Sequence, residues 1–366
     1  MPRRFSRYGL ALVSVLIGLL LACGDSSSQS RAETARIQGR TMGTSYSVIL
    51  PMDRDGSIQA ATVRAAIDSL LTVINADVNT YDRASLISRL NRGDTLLLPQ
   101  IDAVDELQFE PGAHIAANLQ LCDSPFEITA GAFDPTVAPL VEYYGFGSTA
   151  RDSTPIDETE VQRLLDRVGF EKVVRQKLAE GRLMVFVATT GVALDLSAIA
   201  KGYAVDQVGL LLRDRFGVSD CMVEIGGETR VWGNSPRGSA WNIAINTPEE
   251  AAAITDIEAV LAVQNLALAT SGNYRNVRSR GGKRYVHTIN PRDGSAAPSN
   301  LLSATVLAEN CATADAYATA SMASGEDAME VLAKAGLDAC LIFAGEGDSY
   351  DVRYVGDFAK YILTRD

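Results

Sequence analysis

The sequence predicts an α+β fold built from mixed or antiparallel sheets with helices. Two observations carry this. Short apolar or alternating runs of strand length are interspersed with amphipathic runs of helical spacing, and the two kinds do not follow the regular β-α-β order of a doubly wound sheet. The second half is the richer in strands. The chain has 366 residues, 47% of them hydrophobic, which is ample for a core; its 30 Gly and 12 Pro are ordinary usage and argue against disorder.

Ile37 to Leu50 ends in the alternation Tyr46, Val48, Leu50 and reads as a strand. Ile58 to Val78 sets Val63, Ile67, Leu70, Leu71, Ile74 and Val78 on one helical face. Thr95 to Pro99 reads as a short strand and Pro111 to Cys122 as a helix. Asp157 is the expected N-cap of a helix with the inner stripe Val161, Leu164, Leu165 and Val168, stopped by Gly169. Arg182 to Ala188 and Ala193 to Leu196 read as strands, and a helix from about Ala198 to Phe216 follows. Further strands are expected at Cys221 to Ile225, Thr229 to Trp232, Trp241 to Ile245, Ile257 to Val263, Arg284 to Ile289 and Leu302 to Leu307. Helices near Ala312 to Ser324 and Glu326 to Ala335 precede two last strands, Ala339 to Phe343 and Tyr350 to Val355. No later stretch is polar and long enough to divide residues 37–366, which are expected to form one domain.

The N-terminus reads as a targeting segment. Arg3, Arg4 and Arg7 flank an unbroken run of 14 apolar or small residues, Gly9 to Ala22. That length suits a signal-peptide core rather than a membrane span. The run ends Leu20-Leu21-Ala22-Cys23, which is similar to a bacterial lipobox. Residues 1–22 are therefore expected to be a lipoprotein signal peptide, and Cys23 the lipidated first residue of the mature chain. The polar residues 23–36 read as a flexible tether. The expected location is the bacterial cell envelope, lipid-anchored to a membrane and facing the periplasm. The net charge is −12, and the acidic balance disfavours nucleic acid as a partner. Cys122, Cys221, Cys311 and Cys340 show no CxxC spacing, so a zinc or redox motif is not expected. Disulfides and isolated buried thiols both remain open for them.

Several polar constellations stand out. The segment ALDLSAIAKGYAVD (193–206) sets Asp195 and Lys201 in apolar surroundings, where a charge either caps a helix end or faces a ligand. Asp315 and Thr319 lie four apart, on one face of a helix. With a nearby backbone carbonyl they are hard oxygen ligands of the kind that suits Mg²⁺; a plain polar helix face has the same spacing. His287 is one of two histidines, expected on a strand from Tyr285 to Ile289 that enters a Pro-Arg-Asp-Gly turn. Its near-neutral pKa suits a general base, and a hydrogen-bonded structural histidine is the alternative. His114 is assigned to surface or packing. Thr270-Ser-Gly-Asn-Tyr274 and Ile225-Gly-Gly-Glu228 read as turns that let backbone approach a ligand. Tyr81, just past a helix end, and the Ala132-Phe133-Asp134 loop each offer an aromatic ring beside an acid.

In order and wording these segments resemble one family, the ApbE-type FAD:protein FMN transferases. The resemblance rests on MGTSYSV (42–48), TYDRASLISRLN (80–91), GAFDPTVAPLVEYYGFG (131–147), LDLSAIAKGYAVD (194–206), EIGGE (224–228), LALATSGNY (266–274), HTINPRDG (287–294) and ATADAYATA (312–320). It implies a T-fold-related architecture with two subdomains and makes 37–366 the catalytic domain. It further implies that Met42, Tyr81, Ala132, Phe133, Asp134, Asp195, Lys201 and Ile289 contact FAD. Asp315, Thr319 and the backbone carbonyl of Ala198 would hold Mg²⁺. The implied reaction is Mg²⁺-dependent transfer of FMN from FAD to a Ser or Thr hydroxyl of an exported or membrane-bound acceptor flavoprotein, with release of AMP. Lys201 would offset phosphate charge, and His287 or Asp315 would take the hydroxyl proton. The alternatives are a Mg²⁺-dependent FAD pyrophosphatase giving FMN and AMP, and a non-catalytic flavin-binding lipoprotein. Two departures from the family pattern are Pro111 and Asn290, the latter where Asp is common.

Overall fold

The computed structural model describes residues 33–52, 59–147, 154–248, 257–273, 277–347 and 349–363. Cys23, the signal peptide and Tyr274 lie outside the described residues.

A hairpin of β1 (Glu33–Thr41) and β2 (Thr44–Met52) opens the fold. One long strand was expected here, starting at Ile37. The chain instead reverses at Met42 and Gly43, both in the left-handed region with φ of 48° and 74°. Pairing of Glu33 with Met52 makes residues 33–36 strand, not tether. Next come α1 (Ala60–Val78), α2 (Leu86–Asn91), β3 (Leu96–Pro99), α3 (Ala113–Leu121), α4 (Asp123–Ile128), α5 (Ala138–Tyr144) and α6 (Glu158–Leu165). The first of these buries all six residues of its apolar stripe, and α6 is capped by Asp157, which accepts from Thr159 N. β4 (Val173–Lys177) and β5 (Arg182–Val187) complete a three-stranded sheet in the order β3-β5-β4.

α7 (Ala200–Phe216) leads into the hairpin of β6 (Cys221–Ile225) and β7 (Glu228–Trp232). A ribbon of β8 (Trp241–Asn246) and β9 (Ile257–Val263) follows, then β10 (Ala267–Gly272) and the short hairpin of β11 (Val277–Arg280) and β12 (Lys283–Val286). β13 (Leu301–Ala308), α8 (Cys311–Ser324), α9 (Ala328–Ala335), β14 (Asp338–Ala344) and β15 (Tyr350–Val355) close the chain. Three expectations are corrected. Ala193 to Leu196 forms no strand, only a single bridge from Ala193 to Val137. The strand expected to reach Ile289 stops at Val286, so His287 sits in the loop beyond it. α3 starts at Ala113 rather than Pro111, after Gly112 at φ 88°.

The main sheet has eight strands in the order β1-β2-β6-β7-β10-β13-β14-β15, antiparallel throughout. Its central strands are covered on both faces, so alternation there separates two cores rather than core from water. On β13, Ala304, Val306 and Ala308 pack with α8, whereas Leu307 packs with Trp241 and Leu261 of the β8–β9 ribbon. The third core, under α1 and α7, joins Ile67, Val48, Val223 and Leu211. Residues from Ala32 onward form one compact unit, so the large sheet and the satellite three-stranded sheet share one body. The four described cysteines are buried free thiols.

α7 and α8 cross at van der Waals contact. A Cβ on Gly202 would stand 2.2 Å from the carbonyl oxygen of Cys311, so glycine is what allows the approach. Asp206, one turn on, accepts from Cys311 N at 2.9 Å and Ala312 N at 3.0 Å, and pairs with Arg230 of β7 at 2.6 Å. One carboxylate therefore ties α7, the start of α8 and the sheet together. Burial pushes this carboxyl above its usual range, with Arg230 and the two N–H groups pulling the other way.

His114 is fully buried on α3, its Nδ1 3.0 Å from Tyr203 Oη. Burial lowers its pKa from 6.5 to about 4. The unfolded chain therefore takes up this proton first, and stability is lost as pH falls from about 6.5 to about 4. The full effect is about 3 kcal/mol. Neighbouring Asp77, which accepts from Gly112, His114 and Ile115 N–H groups, is pushed up to about 6 by burial and acts in the opposite sense. We expect His114→Gln to flatten the acid limb of a stability–pH profile measured by urea unfolding. An unchanged slope would exclude His114 as its source.

Candidate functional site

Two turns of α8 form the floor of a cleft of about 480 Å³. Asn310 caps the helix by accepting from Thr313 N at 2.8 Å. One turn in, Asp315 is buried, and Thr319 follows on the same face with its Oγ1 3.3 Å from Ser271 Oγ of β10. Asp315 Oδ2 accepts from Gly202 N at 3.1 Å. The crossing that glycine permits is thus what presents this carboxylate to α7.

Lys201 sits beside that contact. Its Nζ is 2.9 Å from Glu228 Oε1, 3.4 Å from each oxygen of Asp315 and 3.4 Å from the Ser197 carbonyl. Burial works against the ammonium, but the two carboxylates outweigh it and hold the lysine above its usual pKa. Glu228 is raised too: burial and the nearby Asp315 push it up to about 7, against the pull of Lys201. One ammonium thus bridges two buried acids.

Asp195 organises the turn before α7. Its Oδ1 accepts from Ser197 N at 2.9 Å and from the Ser197 hydroxyl, so it caps this turn while lining the cleft. Its own N–H donates to the Pro135 carbonyl at 2.7 Å, which docks the 132–136 loop against the segment. Asn91 clamps the preceding residue from both sides, donating to Leu194 O at 2.8 Å and accepting from Leu194 N at 2.7 Å. Within the loop, Asp134 Oδ1 accepts from Thr136 N at 2.8 Å and Thr136 Oγ1 at 2.6 Å, so one of its oxygens serves the loop itself. Burial raises its pKa.

The cleft brings together Tyr81, Ala132, Phe133, Asp134, Asp195, Ala198, Lys201, His287, Ile289, Asp315 and Thr319. Tyr81 is 66% exposed at the mouth, where a ring is free to cover a ligand. His287 lies edge-on to Phe146, ring centres 6.4 Å apart, and Arg278 stacks on the same Phe146 ring. Met42 is the exception: held at φ 48° in the β1–β2 turn, it packs partly buried against the main core and does not line the cleft. Asn290 keeps the following turn without a carboxylate, its Oδ1 accepting from Arg292 N at 3.0 Å. Asp77 accommodates Pro111 by receiving the N–H groups that follow it.

The sequence profile of the ApbE family matches residues 42–341. The chain belongs to the ApbE family. An ApbE relative from Haemophilus influenzae, named FAD:protein FMN transferase, is 34% identical over 337 residues, covering 90% of this chain and 92% of its own. One of the same name from Vibrio cholerae serotype O1 is 32% identical over 358 residues, covering 96% and 98%. Among solved structures, the flavin transferase ApbE from Vibrio cholerae superposes with a TM-score of 0.74 at 30% identity, over 90% of this chain and 99% of that one. The Pseudomonas stutzeri flavinyl transferase ApbE, in its apo form, gives 0.74 at 27% identity over 90% and 97%.

Reasoning from sequence missed Glu228 as the partner of Lys201, Ser271 as a neighbour of Thr319, and Asn91 as the clamp. The usable signal for Glu228 was its place just after Gly226 and Gly227, whose φ of 65° and 108° form the tight β6–β7 turn. Thr270 to Gly272 form the end of β10 rather than a turn, and Ser271 there reaches Thr319 of α8. Because Asp206 serves α8 and Arg230 at once, Asp206→Asn should cost about 3 kcal/mol in urea unfolding. An unchanged midpoint would show that this carboxylate does not hold the crossing.

Proposed function

We infer that this chain is an FAD:protein FMN transferase. The observation that carries the inference is the convergence of Lys201, Asp315, Thr319 and the 132–134 loop on one cleft in a member of the ApbE family. FAD is the donor and a protein is the acceptor, as in the relatives of that name.

The reaction is phosphoryl transfer. A Ser or Thr oxygen of the acceptor bonds to the FMN-side phosphorus, the P–O bond to AMP breaks, and AMP leaves with the electron pair. The hydroxyl proton passes to a base. His287 is that base, with Asp315 as the alternative. Lys201 offsets negative charge on the pyrophosphate, and the exposed ring of Tyr81 bounds the nucleotide; Phe133, buried in the core, acts only by fixing the 132–134 loop.

The floor of the cleft fits Mg²⁺. Asp315 supplies a carboxylate, Thr319 a hydroxyl one turn on, and Ala198 a backbone carbonyl, all hard oxygen donors. When bound, Mg²⁺ supplies positive charge to the pyrophosphate.

We also propose that Cys23 is lipidated, becomes the first residue when residues 1–22 are removed, and tethers the enzyme to a membrane on its periplasmic side. That places it beside exported acceptors. Purified protein, FAD, Mg²⁺ and a candidate acceptor should yield acceptor carrying the mass of FMN, with one AMP released per event. Asp315→Asn should lower the rate at least about a hundredfold. Release of FMN and AMP at the same rate without acceptor, and no labelled acceptor, would make the protein a hydrolase. For the anchor, the N-terminal peptide of the mature protein should start at Cys23 and carry the mass of attached acyl chains; an unmodified Cys23, or a different N-terminus, would refute the tether.

A further inference from the structure

Glu228 is a buried acid in the cleft wall with no part in the reaction above. Its carboxylate does little for the fold. Oε1 meets the Lys201 ammonium at 2.9 Å, and Oε2 is buried with no hydrogen-bond partner among the described residues. Asp206 and Asp77, by contrast, each spend their oxygens on backbone N–H groups of a helix start. A buried carboxylate satisfied by one cation is costly unless that pairing serves the site.

The geometry suggests what it serves. Lys201 lies between Glu228 and Asp315, closer to the first by half an ångström in its shortest contacts, 2.9 against 3.4 Å. A divalent cation on Asp315 would place two further positive charges beside that ammonium. Like charges so close repel strongly in a partly desolvated site. Without another anion, the lysine and the metal compete for one carboxylate. With Glu228, the lysine keeps a counterion when Asp315 turns to the metal.

We propose that Glu228 is a positioning residue, anchoring the Lys201 ammonium on the β6–β7 hairpin so that Asp315 is available to a divalent cation. This rests on the reading of Asp315 as a metal ligand. It concerns charge, not shape. Glu228→Gln keeps the side-chain volume and a hydrogen-bonding oxygen but removes the anion. Lys201 is then left with Asp315 as its anionic partner and becomes the metal's competitor.

The test is Mn²⁺ binding to the full-length mature protein without FAD, read as loss of the free-Mn²⁺ signal in electron paramagnetic resonance. Glu228→Gln should weaken binding at least about tenfold. Glu228→Asp, which keeps the charge, should bind within about threefold of wild type. Removing the competitor as well, in Glu228→Gln with Lys201→Met, should restore the affinity. Were Glu228 itself a metal ligand, the double variant would stay weak, and that result overturns the proposal. Equal binding by wild type and Glu228→Gln overturns it too. Should Glu228→Gln not fold, Lys201→Met alone decides: tighter Mn²⁺ binding than wild type supports the competition, and equal or weaker binding refutes it. If wild type binds no Mn²⁺, with or without FAD, the metal reading itself fails.

Discussion

The close crossing of α7 over α8 at Gly202 is the constraint from which the cleft follows. Gly202 brings its own N–H within reach of Asp315, and Asp206 one turn later fastens the start of α8 to α7 and, through Arg230, to β7. Two helices rich in small residues can pack this tightly because little side chain separates them. Ala312, Ala314, Ala316, Ala318 and Ala320 are all buried. Close packing leaves little slack, so polar groups at the crossing hold fixed positions. The floor of the cleft is rigid for the same reason that the core is dense.

On that floor the electrostatics are poised rather than simply positive. An acidic protein that handles an anionic dinucleotide needs local cations, and the cleft supplies one ammonium held by two carboxylates. Lys201 is kept charged by its neighbours, while Glu228 is raised by burial and Asp315 and held back by the ammonium at 2.9 Å. One ammonium thus faces two acids within 3.4 Å on the cleft floor. The walls are built by different means. Asp195 and Asn91 hold the 193–198 segment through backbone hydrogen bonds, and the 132–136 loop docks on that segment through Pro135.

Much of this was legible along the chain. The stripe of α1, the Asp157 cap of α6, and the bounds of β9 and β15 followed from local periodicity and capping chemistry. The misreadings share a cause. The Met42-Gly43 reversal depends on left-handed backbone at a methionine, which composition does not announce. Ala193 to Leu196 sets apolar residues around Asp195 yet forms a single bridge, because the Asn91 amide holds its Leu194 backbone. His287 falls just beyond Val286, the last residue of β12, whose N–H donates to the Ala296 carbonyl, a contact from a distant loop.

The candidate site divides along the same line. Residue types and spacing within a segment singled out Asp315 with Thr319, Asp195 with Lys201, and His287, each with a plain structural alternative, and the family resemblance is what gave them roles. Nothing local could pair Lys201 with Asp315, which lies 114 residues away, or with Glu228 across a hairpin. Those pairings depend on the strand order that sets β7 beside β10 and on the glycine that lets two helices touch. Nor could periodicity place Met42 outside the cleft. Chemistry was written in short segments; the charge balance among them came from packing, because electrostatic coupling follows distance in space and not along the chain.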